Sequence, residues 1–159
     1  MLKKCISGAQ NGADIAGLVT AKKFGIPTDG IMPKGYKTTA GSRPEYANLY
    51  NIKEHVSASY VPRTYQNAKD ADGTIRLAFN FQSRGEICTL NAIKQYNKPY
   101  IDVDLNNPIP HQDVVDWILN NNIEVLNVAG NAETTYGGTN IATAEYLTEV
   151  FKLLGFNSF

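Results

Sequence analysis

The stretch CISGAQNGAD, residues 5–14, takes a short apolar run directly into a loop of small residues, with a helix starting immediately after. Such a junction leaves backbone N–H groups unpaired at a positive helix terminus, where they can cradle a phosphate or another oxyanion. The chain therefore reads as a binder of an anionic small molecule. NVAGNAETTYGGTN, residues 127–140, repeats the arrangement near the other end. Two such loops on one sheet exceed what turn chemistry alone requires.

Working outward, short apolar runs bounded by turn residues predict strands at Leu2–Ile6, Asp29–Met32, Gly73–Ala78, Tyr100–Val103 and Ile123–Val128. Helical patterns fall at Ala13–Phe24, Thr64–Lys69, Gly85–Tyr96, His111–Asn121 and Asn140–Leu154. In the last of these, Ile141, Ala144, Leu147, Phe151 and Leu154 recur at helical spacing, a face expected to pack on the sheet. Strand and helix in repeated alternation imply right-handed crossovers and a doubly wound α/β fold. Its sheet should be mainly parallel, with five to seven strands.

The 159 residues fit one domain spanning 1–159. Fifteen basic residues balance fifteen acidic ones, so no global field favours nucleic acid or an anionic membrane. Without a membrane-length apolar run or an N-terminal signal segment, a cytoplasmic location is the expectation. Cys5 and Cys88 have neither the number nor the spacing of a disulfide framework or zinc site and read as buried free thiols. No metal and no cofactor is expected.

In a doubly wound fold, ligands collect where the strands end, so the loops leaving the strands hold the candidate site. Ser7, Gly8, Ala9, Gln10, Asn11 and Gly12 leave the first strand, followed by Asp14 in the helix's first turn. Lys34, Gly35 and a segment reaching Arg43 leave the second; Asn80, Ser83, Arg84, Gly85 and Glu86 leave the third. Gly130, Asn131, Gly137, Gly138, Thr139 and Asn140 follow the last. Lys34, Arg43, Arg63 and Arg84 would compensate a ligand's negative charge, the arginines with a fork suited to phosphate. Asp14 and Glu86 have a simpler role available, that of satisfying a helix dipole. His55 and His111 fall outside the site loops.

ISGAQNGAD (6–14) resembles the ISGGQTGVD motif of the circularly permuted YpsA-like family, labelled molybdenum carriers, within the Rossmann-like SLOG superfamily of nucleotide binders. MPKGYKTTAG, YVPRTYQNAKDADGTI and IEVLNVAGNAE resemble further segments of that family, in order. Ala9, Asn11 and Ala13 replace its second glycine, threonine and valine, and the third loop carries Arg84, Gly85 and Glu86 where two glycines and a threonine are usual.

The resemblance implies two classes of function. One is a sensor or sequestering sponge for a nucleotide or nucleotide-derived ligand such as an ADP-ribose derivative. Its phosphate would lie on the Ser7–Gly12 amides, and Gln10, Asn67, Asn80 or Asn131 would reach base or ribose. The other is an N-glycoside hydrolase of nucleoside monophosphates, in which Glu86 or Asp14 would serve the oxocarbenium-like transition state, with Asp104 as a weaker third candidate. Molybdenum cofactor or oxyanion carriage follows from the family label alone. Intact-dinucleotide redox chemistry is disfavoured, since the first loop lacks GxGxxG and Pro33 and Lys34 stand where an acidic residue is needed. A homodimer or higher homo-oligomer is expected from apolar surplus at Phe151, Leu153, Leu154 and Phe156. Tyr36, Tyr46, Tyr50, Tyr60 and Tyr65 are expected mainly to pack beneath the long segment between the second and third predicted strands.

Overall fold

The computed structural model describes residues 1–158. Strand β1 (Lys4–Ile6) leads through the small-residue loop into α1 (Ala13–Lys23), and β2 (Thr28–Met32) follows. A two-stranded hairpin of β3 (Lys37–Thr38) and β4 (Gly41–Ser42), then α2 (Tyr46–Tyr50), precede the short strand β5 (Ile52–Glu54). The chain continues through α3 (Tyr60–Asp70), β6 (Gly73–Ala78), α4 (Arg84–Gln95), β7 (Tyr100–Asp104), α5 (His111–Asn120), β8 (Val125–Gly130) and α6 (Thr139–Leu153). The main sheet has six strands in the order β5-β2-β1-β8-β6-β7, and every ladder in it is parallel. This is the single Rossmann-like α/β domain that the alternating pattern implies. Five of the strands were expected; β5, the hairpin and α2 were not.

Helices α1, α5 and α6 pack together on one face of the sheet, and α3 and α4 pack together on the other. Because side chains alternate along a strand, each strand supplies both faces. Cys5, Ile75, Leu77, Leu126 and Val128 enter the large apolar cluster with Phe24, Val114, Ile118, Leu147, Val150 and Phe151. The buried face of α6 is rotated from the expected one. Thr143, Tyr146, Leu147, Val150 and Phe151 point inward, whereas Ile141 is 65% exposed and Ala144 half-buried. Thr143 and Tyr146 extend the inward stripe, and Tyr146 donates its hydroxyl hydrogen to the Ile109 carbonyl at 2.9 Å.

Much of the apolar surplus read at the C-terminal helix is used internally. Phe151 and Leu154 are buried, and Phe156 packs edge-on against Phe151. Tyr36, Tyr46 and Tyr50 pack on a smaller cluster of Leu18, Met32 and Ile52, while Tyr65 packs on Ala68, Ala92 and Ile93 between α3 and α4. Among the described residues no helix is long and apolar enough to cross a membrane.

Candidate functional site

The first loop is shaped by contacts with two other segments. Gly12 has φ 110°, and a Cβ there would come within 2.3 Å of the Asn131 carbonyl oxygen. A glycine is needed because the loops after β1 and β8 touch backbone to backbone, through a bridge between Gly12 and Ala132 and the bond from the Ala13 amide to the Asn131 carbonyl. Ser7 donates its hydroxyl to the Asp14 carbonyl at 2.9 Å and accepts the Ala9 amide at 3.0 Å. The loop thus arrives partly self-satisfied. The amides of Gly8 and Asn11 have no such partner among the described residues.

The second glycine-rich junction is occupied by the chain's own carboxylate. Glu133 accepts the Gly138 amide at 2.6 Å and the Asn140 amide at 2.8 Å, so the start of α6 already holds an anion. Thr139 bonds the Tyr136 carbonyl, and Asn140 donates its side-chain amide to the Gly12 carbonyl, tying α6 to the first loop. Gly137, Gly138 and Thr139 do not line the main cavity; Gly12 and Asn140 face an open depression beside Glu133.

The main cavity, about 530 Å³, lies on the α3/α4 side of the sheet. Gly8, Gln10, Asn11 and Asp14 form one wall; Tyr60, Val61, Arg63, Thr64 and Asn67 of α3 form another. The start of α4 contributes Ser83, Arg84, Gly85, Glu86, Cys88 and Thr89, and the run Asn127–Ala132 lines it from β8 and the loop beyond. The α3–α4 contact is a small apolar cluster of Ala68, Ala92 and Ile93 with Tyr65, and the sheet positions lining the cavity include Asn127 and Ala129, whose side chains leave the space open.

Of the predicted site residues, Gly8, Gln10, Asn11, Asp14, Arg63, Asn67, Ser83, Arg84, Gly85, Glu86, Gly130 and Asn131 come together around this cavity. Ser7 and Ala9 lie behind the wall in buried positions. Lys34, Gly35 and Arg43 are not brought there: they sit on the segment carrying the β3/β4 hairpin, where Gly35 donates its amide to Glu54 and Arg43 its amide to the Tyr36 carbonyl. Asn80 also lies outside, donating to the Tyr136 hydroxyl at 2.7 Å. His55, His111 and Asp104 do not line the cavity. His55 accepts the Ser57 amide, and His111 lies against the Tyr146 ring.

The amide side chains proposed to read a base or ribose are largely committed to the scaffold. Asn67 grips Ile31 by both backbone groups, at 2.9 and 3.0 Å, and thereby fills the split where β1 and β2 part. Asn131 accepts the Phe79 and Asn80 amides and donates to the Asn80 carbonyl, holding the β6 and β8 loops together. Gln10 donates to the Gly8 and Lys37 carbonyls. They fix the shape of the walls.

Charge in the cavity is mixed. Arg63 reaches across Gly8, where a Cβ would collide with its guanidinium, and sits 3.5 Å from Asp14. Burial pushes the Asp14 carboxyl up to about 6, against the opposing pull of Arg63 and the Gln10 amide. Glu86, 2% exposed, is pushed up to about 7 by burial; Arg76 opposes this, while the charges of Asp14 and Asp102 reinforce it. Glu86 Oε2 has no hydrogen-bond partner among the described residues.

Arg76 was missed from sequence. It lies buried in the middle of β6, donates to both Asp102 oxygens at 2.8 and 2.7 Å, and donates Nη1 to the Glu86 carbonyl at 3.1 Å. A signal existed: Arg76 and Asp102 are the lone charges inside two consecutive apolar strand patterns, and the parallel register pairs them directly. Asn127, deep in the cavity and bonded to Thr74, gave no comparable signal. Cys88 lines the cavity half-buried, its thiol pushed up by burial; Cys5 is buried in the core and pushed up to about 12. Among the described residues no group of His, Cys, Asp and Glu forms a metal cluster.

A model of the circularly permutated YpsA SLOG family matches residues 5–151, a span that holds every cavity residue. The chain belongs to this family. Within the same fold, the crystal structure of a "Putative molybdenum carrier protein" from Syntrophus aciditrophicus SB is similar, with 35% sequence identity, 94% of each chain covered and a TM-score of 0.85. No curated protein matches. Family membership accounts for the shared fold; the chemistry of the cavity must be read from this chain's own residues.

Proposed function

We propose that the chain binds a nucleotide or nucleotide-derived small molecule in the α3/α4 cavity, as a sensor or sequestering protein. The observation that carries this reading is the cavity itself. Its volume of about 530 Å³ falls within the roughly 300–1,000 Å³ of small-molecule sites, and its wall offers arginines and unpaired backbone amides together with buried acceptors. Arg84, exposed at the first turn of α4 and free of ion pairs among the described residues, suits an anionic group at the mouth. A tetrahedral oxyanion alone would leave most of this space unfilled.

A second reading, N-glycoside hydrolysis, is favoured by the carboxyl pair. With Asp14 near 6 and Glu86 near 7, one carboxyl can be ionised while the other still holds a proton near neutral pH, the state a general acid and base require. The relative's name supports a third, carriage of a molybdenum species. Calorimetric titration with AMP, NAD, ADP-ribose and molybdate, followed by mass spectrometry of the recovered ligand, separates them. Binding with intact recovery is the expected result. Release of free base would establish the hydrolase instead, and binding of molybdate without any nucleotide would overturn the nucleotide reading.

A further inference from the structure

We propose that the inner end of the cavity selects its ligand by hydrogen-bond donors. The Glu86 carboxylate takes a ligand hydroxyl or amino group, so the ligand is donor-bearing inside and anionic at the mouth, and a bare tetrahedral oxyanion such as molybdate is rejected. The inference rests on the nucleotide-binding reading above and names the chemistry of that site.

Glu86 is held from both sides of its backbone. Its amide is capped by the Ser83 hydroxyl at 3.4 Å and its carbonyl accepts Arg76 Nη1 at 3.1 Å, which fixes where the carboxylate projects. The cations nearby are engaged elsewhere: Arg76 grips Asp102 with two nitrogens, and Arg63 is turned to Asp14. Glu86 Oε2 therefore remains a buried acceptor with no donor among the described residues, a condition native structures rarely tolerate without a missing partner. Arg63 Nε, in the α3 wall of the same cavity, is likewise unpartnered among the described residues. A ligand hydroxyl or amino group satisfies Oε2. A tetrahedral dianion has no proton to offer and would approach two carboxyl groups, Asp14 and Glu86, that already repel each other. Arg84, at the exposed start of α4, is left for the anionic end.

Calorimetry at about pH 8, where Glu86 is ionised, tests this with AMP, 2′,3′-dideoxy-AMP, which lacks both ribose hydroxyls, IMP, which lacks the exocyclic amine, and molybdate, on the wild-type chain and Glu86→Met, which keeps the length of the side chain and removes its oxygens. Removing one of the two donor groups should weaken binding about tenfold, the scale of a hydrogen bond to a charged group. Glu86→Met should weaken AMP similarly and close the gap between AMP and that analogue, while molybdate binds neither protein measurably. Equal affinity for all three nucleotides, a gap that persists in Glu86→Met, or molybdate binding as tightly as AMP would overturn the proposal. If the variant does not fold, the three nucleotides on the wild-type chain still decide. Failure of AMP to bind overturns the proposal; the underlying reading falls only if NAD and ADP-ribose fail as well.

Discussion

The two faces of the sheet are made by the same strands and differ in almost every other respect. Along β6, Ile75 and Leu77 enter the apolar cluster beneath α1, α5 and α6, while Thr74 bonds Asn127 and Arg76 pairs with Asp102 on the α3/α4 side. The first face is filled by Phe24, Leu147, Val150 and Phe151; the second has only Ala68, Ala92 and Ile93 with Tyr65 as an apolar cluster, and a cavity in place of the rest. One face supplies burial free energy, the other space and charge. A polar interior of this kind is costly to hold, and the large cluster on the opposite face offsets that cost.

The largest expected effect tests this division. Phe151→Ala empties the centre of the apolar face and should lower unfolding free energy by about 3–5 kcal/mol in urea denaturation, with ligand affinity of the folded protein preserved. Asn127→Ala, on the cavity side, should cost about 1 kcal/mol, the scale of one hydrogen bond. Equal costs would break the comparison. Arg76→Met comes next. It strips Asp102 of its cation, but that carboxylate is 37% exposed and can recover water, so the loss is discounted to about 2–3 kcal/mol. Glu86 should then titrate still higher, because the positive charge holding it down is gone, and carboxyl NMR would show the shift.

The apolar face was the more legible of the two from sequence. Its strands are runs such as Gly73–Ala78 and its helices show helical spacing, so existence and order followed from periodicity, with boundary errors of a few residues. The strand Ile52–Glu54 is too short and too charged to stand out; it is a strand because its backbone pairs with β2. On the polar face, glycines and amides mark loops that do meet at the cavity, but not what each residue does there. Gly12 serves a loop-to-loop contact, and Asn67 and Asn131 brace strands. Glu133, which fills the second cradle, gives no sign of its target in the stretch 127–140, since its partners are backbone amides that leave no trace in sequence.

Titration sharpens the contrast further. Asp14 and Glu86 both bind protons more tightly when folded than an ordinary carboxyl does, so between the unfolded values near 4 and the folded values of about 6 and about 7 the folded chain holds more protons. Stability without ligand is therefore greatest below about pH 4 as far as these groups are concerned and falls as pH rises through about 7. Thermal melts from about pH 5 to about pH 8 should show this decline, and Glu86→Gln should remove about 2–3 kcal/mol of it. A decline unchanged in the variant would mean that Glu86 is solvated in the ligand-free protein.

A last substitution probes how the cavity wall is held. A Cβ on Gly8 would stand 1.8 Å from Arg63 Nη1, the mobile end of a long side chain, so Gly8→Ala should displace the guanidinium and leave the backbone in place. The cost to folding should be about 1–2 kcal/mol: the Arg63–Asp14 pair is largely buried, with side chains 15% and 10% exposed, but its contact is already long at 3.5 Å. Asp14 should nevertheless titrate above its present value of about 6, because Arg63 is the chief influence lowering it. Ligand affinity should fall by more than stability does, as the same movement carries Arg63 into the cavity. If Asp14 titrates unchanged in Gly8→Ala, the arginine is not its partner in solution, and the charge balance of the polar face has to be assigned to Arg76 and Arg84 instead.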